Sequence, residues 1–376
     1  MLVNRLILKN YRNYDNLDIE LSPGINIFIG NNAQGKSNIL ESIFVLALTK
    51  SYMNVKDQNL IKDERDFSLI EGFCTKDSSD FKLSISINRD VKKLKIDSNE
   101  IKKYSDYISW FKVLIFSPYN INFIKDGPNS RRKNINMVIS QYSVCYVNLL
   151  QKFNVILKKR NFYLKNVDFS KDYNRYYFDI LNDSYCSITV DIALMRDSFI
   201  KKLNQYLSKI YFEITGYEGL ELRYISNIKI NNVREEMIDS LKEDLKRDFS
   251  RERKYGITTL GIHRDDFIFF LKDKAMSIYA SQGQIRAAIL SLKLAEALIF
   301  KENDGEYPVL LLDDIFSELD VDKRNNLIKY ILNGVQTIIT TTDIDLLDPR
   351  LVSNAKVFSI YDGVVVNEEG KDANHE

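Results

Sequence analysis

Gly30-Asn31-Asn32-Ala33-Gln34-Gly35-Lys36-Ser37 is the stretch that decides the fold. It meets the pattern Gly-x-x-x-x-Gly-Lys-Ser/Thr at every fixed position. The apolar run Ile25, Ile27, Phe28 and Ile29 leads into it, and Ile39, Leu40, Ile43, Phe44, Leu46 and Ala47 follow at helical spacing. A strand, a glycine loop and a helix are therefore expected. Glycines let successive backbone N–H groups turn toward phosphate oxygens, and the helix adds the positive end of its dipole. Lys36 then serves as a mobile cation for the terminal phosphates, and Ser37 offers a hydroxyl to Mg²⁺. Gly30, Asn31, Asn32, Ala33, Gln34, Gly35, Lys36 and Ser37 are thus expected to cradle ATP. The bland alternative, a Gly-Lys-Ser turn at any helix start, does not account for both flanks.

A site of this kind needs a second metal-binding carboxylate at a strand end. Pro308-Val309-Leu310-Leu311-Leu312-Asp313-Asp314 supplies one. A continuous apolar run reads as a buried parallel strand, and its carboxyl end is where open α/β sheets bind ligands. Asp313 is expected to hold Mg²⁺, and Asp314 to orient the attacking water as the catalytic carboxylate. Alone, the segment could be a strand ending in a solvated turn.

Outward from these two motifs the chain divides in three. Val3, Leu6, Ile7 and Leu8, then Leu17, Ile19 and Leu21, suggest two strands, and residues 67–117 read as β-rich. After Asp126-Gly127-Pro128, helical periodicity runs from Arg131 to Leu164 and again from Ile188 to Ile210, as in a short antiparallel arm. Residues 211–256 are mixed and charged and fit no simple pattern. The expected organisation is α/β: an ATPase head in two parts, 1–125 and 251–376, with a mostly helical arm inserted at 126–250. The segment from Glu368 onward is polar and expected to fray.

Composition narrows the function classes. The 376 residues carry 53 basic and 52 acidic side chains, so charge alone does not make the chain a nucleic-acid coat. Three scattered cysteines without a Cys-x-x-Cys spacing argue against a disulfide framework or a zinc site and fit a reducing compartment. The N-terminus lacks a signal-peptide core, and no apolar run approaches the roughly 20 residues of a membrane span. A cytoplasmic location without membrane attachment is expected.

Ser281-Gln282-Gly283-Gln284 opens a strongly amphipathic helix just upstream of the Asp-Asp strand. By itself it is an ordinary N-cap. It can also form a second anion site from hydroxyl, N–H groups and dipole. Phosphate loop, Ser-Gln-Gly-Gln turn, Asp-Asp strand and Ser317-Glu318-Leu319-Asp320 occur in the order of an ABC-type ATPase head. The chain resembles that superfamily. More narrowly it resembles the SMC-like RecF family of bacterial recombination mediators. Leu8 to Tyr14, Ile139-Ser140-Gln141, Lys159-Arg160-Asn161, Gly261 to Asp266, Ala280 to Gln284, Ser291 to Glu296, Leu312 to Asp320 and Thr340 to Asp343 carry the resemblance.

The resemblance implies an ATP-sandwiched homodimer in which Ser281, Gly283, Gln284 and Asp320 of one copy complete the site of the other. It places Arg12 and Asn13 near the phosphates, Thr341 in the switch region, and Gln58 as a possible metal-sensing glutamine. It implies DNA binding, including single-stranded DNA at gaps or junctions, and weak DNA-stimulated ATP hydrolysis used as a switch. It also implies work with RecO and RecR to load RecA in repair, replication-fork maintenance and SOS induction. Arg131-Arg132-Lys133 is the first expected DNA contact. Departures are Asp314 in place of the usual Glu, Ile262 in place of Pro, and a Lys50-Ser51-Tyr52-Met53 segment without the expected basic character. The alternative is an ABC transporter ATPase subunit. The 245 positions between Lys36 and Ser281 (281 − 36) and the absence of Leu-Ser-Gly-Gly-Gln weigh against it. An ATPase-nuclease would need a further acidic domain, and a dead binding module would not need Lys36, Ser37, Asp313 and Asp314 together.

Overall fold

The computed structural model describes residues 1–53, 55–318, 321–331 and 334–366. Asp320 and the polar segment from Glu368 lie outside the described residues. Fifteen strands are defined among the described residues. They are β1 Leu2–Tyr11, β2 Tyr14–Glu20, β3 Ile25–Ile29, β4 Phe67–Lys76, β5 Ser79–Asn88, β6 Lys92–Ile96, β7 Asn99–Ile101 and β8 Val113–Phe116. The rest are β9 Leu220–Ile225, β10 Asp266–Leu271, β11 Lys274–Ala275, β12 Val309–Asp313, β13 Thr337–Thr341, β14 Ala355–Tyr361 and β15 Val364–Val366. The longer helices are α1 Lys36–Leu48, α2 Pro128–Tyr142, α3 Val144–Asn166, α4 Asp172–Thr215, α5 Arg234–Tyr255, α6 Gln282–Asp304 and α7 Val321–Ile331.

The chain divides into two compact units: residues 1–122, 206–218 and 281–376 form the first, and 123–205 with 219–280 the second. Two six-stranded sheets build the first unit. One is antiparallel, in the order β2-β1-β4-β5-β6-β7. Its alternating burial, as along β1 and β5, is that of a sheet with one face on a core. The other has the order β15-β14-β3-β13-β12-β8 and is parallel except for β15. Its central strands β12 and β13 are buried at every residue, which explains why they are apolar throughout rather than alternating. Because β3, β13, β12 and β8 run the same way, the segments that follow them emerge at one edge. That common edge positions the site.

In the second unit β9, β10 and β11 form a small antiparallel sheet. It accounts for part of the stretch that sequence periodicity left unassigned: β9 pairs with a strand some 40 residues further on, a partner that no local pattern reveals. The helical stretch expected from Arg131 to Leu164 is two helices. Ser143 adopts extended backbone and its hydroxyl accepts from Tyr146 N at 3.4 Å, so it ends α2 and caps α3. The second expected helix is longer than its apolar pattern, extending over 44 residues as α4.

Two buried guanidinium groups hold this unit together. Arg196 donates to Asp265 Oδ2 (2.6 Å), the Ile262 carbonyl (2.9 Å), Tyr146 Oη (3.0 Å) and Asn136 Oδ1 (2.9 Å). Arg160 donates to both Glu252 oxygens (3.0 and 2.6 Å), to Thr258 Oγ1 (2.7 Å) and to Asn182 Oδ1 (2.8 Å). Both arginines and both acids are essentially inaccessible, so their charges are compensated by these bonds rather than by water.

Candidate functional site

The phosphate loop leaves β3 at Gly30 and enters α1 at Lys36. Two glycines are required sterically. A Cβ at Gly30 would collide with the Ile360 carbonyl oxygen, and Gly35 has φ 110°, with Asn13 Nδ2 2.5 Å from where a Cβ would be. Gly35 is also the N-cap of α1 and supplies no side-chain hydrogen bond. The first N–H groups of α1 therefore face outward without a capping oxygen, the arrangement that receives an anion. Gln34 is fixed from the C-terminal side of the sheet: its carbonyl accepts from Gly363 N at 3.1 Å, and its side-chain oxygen accepts from Asp362 N.

A cavity of about 340 Å³ opens here. The loop and α1 line it with Asn32, Ala33, Gly35, Lys36, Ser37 and Asn38. Asp313 and Asp314 close it from the end of β12, Thr340 from β13 and Thr342 from just after it, and Pro118 and Tyr119 from the segment after β8, with Met53 beside them. Ser37 Oγ donates to Asp313 Oδ1 at 2.7 Å, although 276 positions separate them in the chain. The same oxygen accepts from Thr340 Oγ1 at 2.9 Å, and Asp313 Oδ2 accepts from Tyr52 Oη at 2.9 Å. A carboxylate and a hydroxyl in contact at the phosphate loop are the hard oxygen donors that suit Mg²⁺, which takes one or two protein ligands and fills its remaining positions from phosphates and water. The residues present fit the ion.

Lys36 Nζ donates to the carbonyls of Gly30 (2.6 Å) and Asn31 (2.7 Å). Burial pushes its pKa down, opposed by the charges of Asp314 and Asp313. Its cation thus lies folded against its own loop. Asp314 is half-buried, and its backbone is left-handed (φ 50°), with its N–H donating to Thr340 Oγ1 at 3.0 Å. Asp and Asn tolerate that conformation better than longer side chains, a physical reason for Asp where Glu was expected.

Arg12 and Asn13 brace the loop in different ways. Asn13 Nδ2 donates to the Gln34 carbonyl (3.0 Å) and its oxygen accepts from Asn38 Nδ2 (2.8 Å). Arg12 pairs bidentately with Glu41 on α1, at 2.8 and 2.7 Å. Glu41 is fully buried and also accepts from Tyr11 Oη (3.0 Å) and Ser51 Oγ. Desolvation and the Glu41 charge push the Tyr11 phenol well up, so it acts as a donor.

Five further expected residues do not line this cavity. Gln58 is exposed and donates to the Arg89 carbonyl at 3.0 Å; the segment beside Asp313 is instead the one after β8, at Pro118 and Tyr119. Thr341 is buried, and its hydroxyl is engaged by the backbone of Asp343; its neighbours Thr340 and Thr342 line the cavity. Ser281 and Gln284 cap α6 reciprocally, at 3.3 and 2.9 Å, and neither they nor Gly283 line the cavity of their own chain. Ser281, Gln282 and Gly283 are exposed. Sequence reasoning also missed Tyr52, Asn38 and Glu41, whose roles follow from which strands and loops are adjacent. Tyr52 belongs to the Lys50-Ser51-Tyr52-Met53 segment, which departs from the family's basic character. Of the expected DNA contacts, Arg131 is bound to Asp266 at 2.7 and 2.6 Å and Arg132 to the Asp265 carbonyl at 2.5 Å; only Lys133 is exposed. His263 sits in the second unit, its Nε2 3.1 Å from the Thr258 carbonyl, and burial lowers its pKa to about 4.

The family described as RecF/RecN/SMC N terminal domain matches residues 2–364. Over 371 residues, 98% of each chain, the sequence is 37% identical to the DNA replication and repair protein RecF of Ligilactobacillus salivarius. The chain belongs to the RecF family. A RecF relative from Halalkalibacterium halodurans is also 37% identical, over 96% of this chain and 98% of its own. The solved structure of the recombination mediator protein RecF-ATP in the RecFOR pathway superposes with a TM-score of 0.88 at 31% identity, covering 97% of this chain and 96% of that one. An Smc head domain from Pyrococcus furiosus shares the fold, with a TM-score of 0.51 at 17% identity. The architecture is thus an ABC-type ATPase head with an inserted, mostly helical unit. Among the described residues, no helix is long and apolar enough to cross a membrane.

Proposed function

We propose that this RecF-family chain is an ATP-controlled DNA-binding recombination mediator, with the first unit as ATPase head and the second as the inserted arm. The observation that carries the reading is the contact of Ser37 with Asp313 at an uncapped phosphate loop. Similarity to a RecF-ATP structure over nearly the whole chain supports it.

ATP is the substrate. Backbone N–H groups from Gly30 to Ser37 take its phosphates, and Lys36 leaves the Gly30 and Asn31 carbonyls to meet them. Ser37 and Asp313 hold Mg²⁺, which when bound supplies charge neutralisation at the phosphates. Asp314 orients the attacking water. Asn13 and the Arg12–Glu41 pair keep the loop and α1 in register. The exposed turn Ser281-Gln282-Gly283 lies outside the cavity of its own chain, and we assign it, with Asp320, to the site of a second copy. Two copies close around bound nucleotide and DNA, and slow hydrolysis releases them. This switch would operate in the cytoplasm and help RecO and RecR load RecA at gaps.

Light scattering of the wild type and Ser281→Arg, with ATP and with or without gapped DNA, tests the reading. The expected result is dimers for the wild type only, with monomer ATP binding intact in the variant. Dimers formed equally by Ser281→Arg would overturn the completion of the site in trans.

A further inference from the structure

The second unit contains a cavity of its own, of about 440 Å³, within the roughly 300–1,000 Å³ typical of ligand sites. Three rings wall it. Phe169 meets Phe178 at 5.0 Å and Phe249 at 5.4 Å, both near perpendicular, and Phe178 meets Phe249 at 5.8 Å. At its base lies Arg160, held by four hydrogen bonds and with its guanidinium 5.3 Å from the Phe178 and Tyr185 rings. The base is therefore polarised and rigid but electrically balanced.

The rim is not balanced. Lys242 pairs with Asp183 at 2.8 Å. Arg175 and Lys246 are exposed, and among the described residues neither has a carboxylate within ion-pair distance. Arg253 stacks over Phe169 at 4.7 Å while donating to the Leu164 carbonyl. Against Arg175 and Lys246 the lining offers one further carboxylate, Asp179; Arg253 stands outside the lining and faces the charge of Asp168. Alongside, Tyr176 is 71% and Phe162 58% exposed, and Tyr163 packs on Tyr177 at 5.0 Å. Exposed aromatics with arginines beside a concave site are the composition of a protein interface, where buried aromatic anchors carry most of the affinity.

We propose that this socket docks an acidic peptide segment of a partner protein, which inserts one aromatic or branched apolar side chain into the cavity against the phenylalanines. Its flanking carboxylates meet Arg175 and Lys246. Exposed aromatic side chains together with the rim cations favour a protein segment as the occupant.

The test uses the full chain and the fluorescein-labelled peptide Gly-Asp-Asp-Phe-Asp-Asp-Gly, followed by anisotropy. Controls replace its Phe with Ala or its four Asp with Lys. The expected result is at least tenfold tighter binding than either control, and at least tenfold weakening by Arg175→Glu with Lys246→Glu. Both positions are exposed, so the fold is retained; Phe249→Ala, checked by its thermal transition, gives a second loss. Equal binding of the Phe and Ala peptides, or no effect of the rim reversals, overturns the proposal. Oligothymidine that competes for the socket and depends on the same rim residues also overturns it, in favour of nucleic acid.

Discussion

The two units use charged side chains in opposite ways. In the second unit Arg160 and Arg196 each donate four hydrogen bonds to fixed partners far from solvent. In the first, Lys36 and Ser37 bond to their own loop and to a carboxylate beside an open cavity, contacts that can be exchanged for a ligand. Removing a partner inside a closed network leaves an uncompensated charge. Removing one beside a cavity exposes its neighbour only to water. Charged and polar groups therefore hold the fold in one unit and stay available to a ligand in the other, and Arg131 shows how burial, rather than residue type, decides which.

The sharpest break would come from Arg196→Met. Asp265 loses its buried counter-charge, at a cost of about 3–5 kcal/mol, read as a fall in the denaturant midpoint with ATP affinity unchanged once folded. An unchanged midpoint would abolish the distinction between the units. Asp314→Asn should reverse the pattern. Asn tolerates the left-handed backbone as well as Asp, so stability is retained, while hydrolysis slows by about 100-fold or more as the water-orienting charge is lost. Dimers with ATP should then outlast those of the wild type; rapid turnover by this variant would remove Asp314 from the mechanism. Lys36→Ala deletes a charged hydrogen-bonding group of about 1.5–3 kcal/mol. ATP affinity should drop roughly 10- to 100-fold with little change in thermal transition, as measured by titration calorimetry and scanning calorimetry. The smallest effect concerns His263. Its folded pKa of about 4 lies below its ordinary value of 6.5, so the unfolded chain takes up the proton first. The stability it contributes is complete above 6.5 and is lost as pH falls toward 4. His263→Gln should flatten this part of the urea-midpoint profile; an unaltered profile would mean that the ring is not held neutral.

The sequence was most legible where function is local. A phosphate loop keeps its residues within eight positions, and an N-cap and its helix are contiguous, so Gly30 to Ser37 and the Ser281 turn could be read directly. Asp313 was found because a buried strand announces its own end. What could not be read depends on strand order. Tyr52 and Thr340 reach Asp313 only because β13 and β12 are neighbours and the segment after α1 folds back beside them, and Gln58 came from the family resemblance alone, with no local pattern to place it. Helix breaks were similarly opaque: Ser143 interrupts a continuous apolar pattern without disturbing its spacing, because α2 and α3 each keep one face inward. Recognition of the family rested on motifs scattered along the chain, and similarity over nearly its full length agrees with it.

The bracing of the phosphate loop by Ile360, Asp362 and Gly363 has a consequence for the order of events at synthesis. Strand β3 and its loop are made within the first tenth of the chain, yet β3 lies between β13 and β14, and the loop rests on the turn that follows β14. A chain still emerging from the ribosome holds the glycine loop long before the wall that shapes it. On the proposed function, a chain cut short before that turn would lack the wall that shapes its phosphate loop, and would be expected to bind nucleotide poorly.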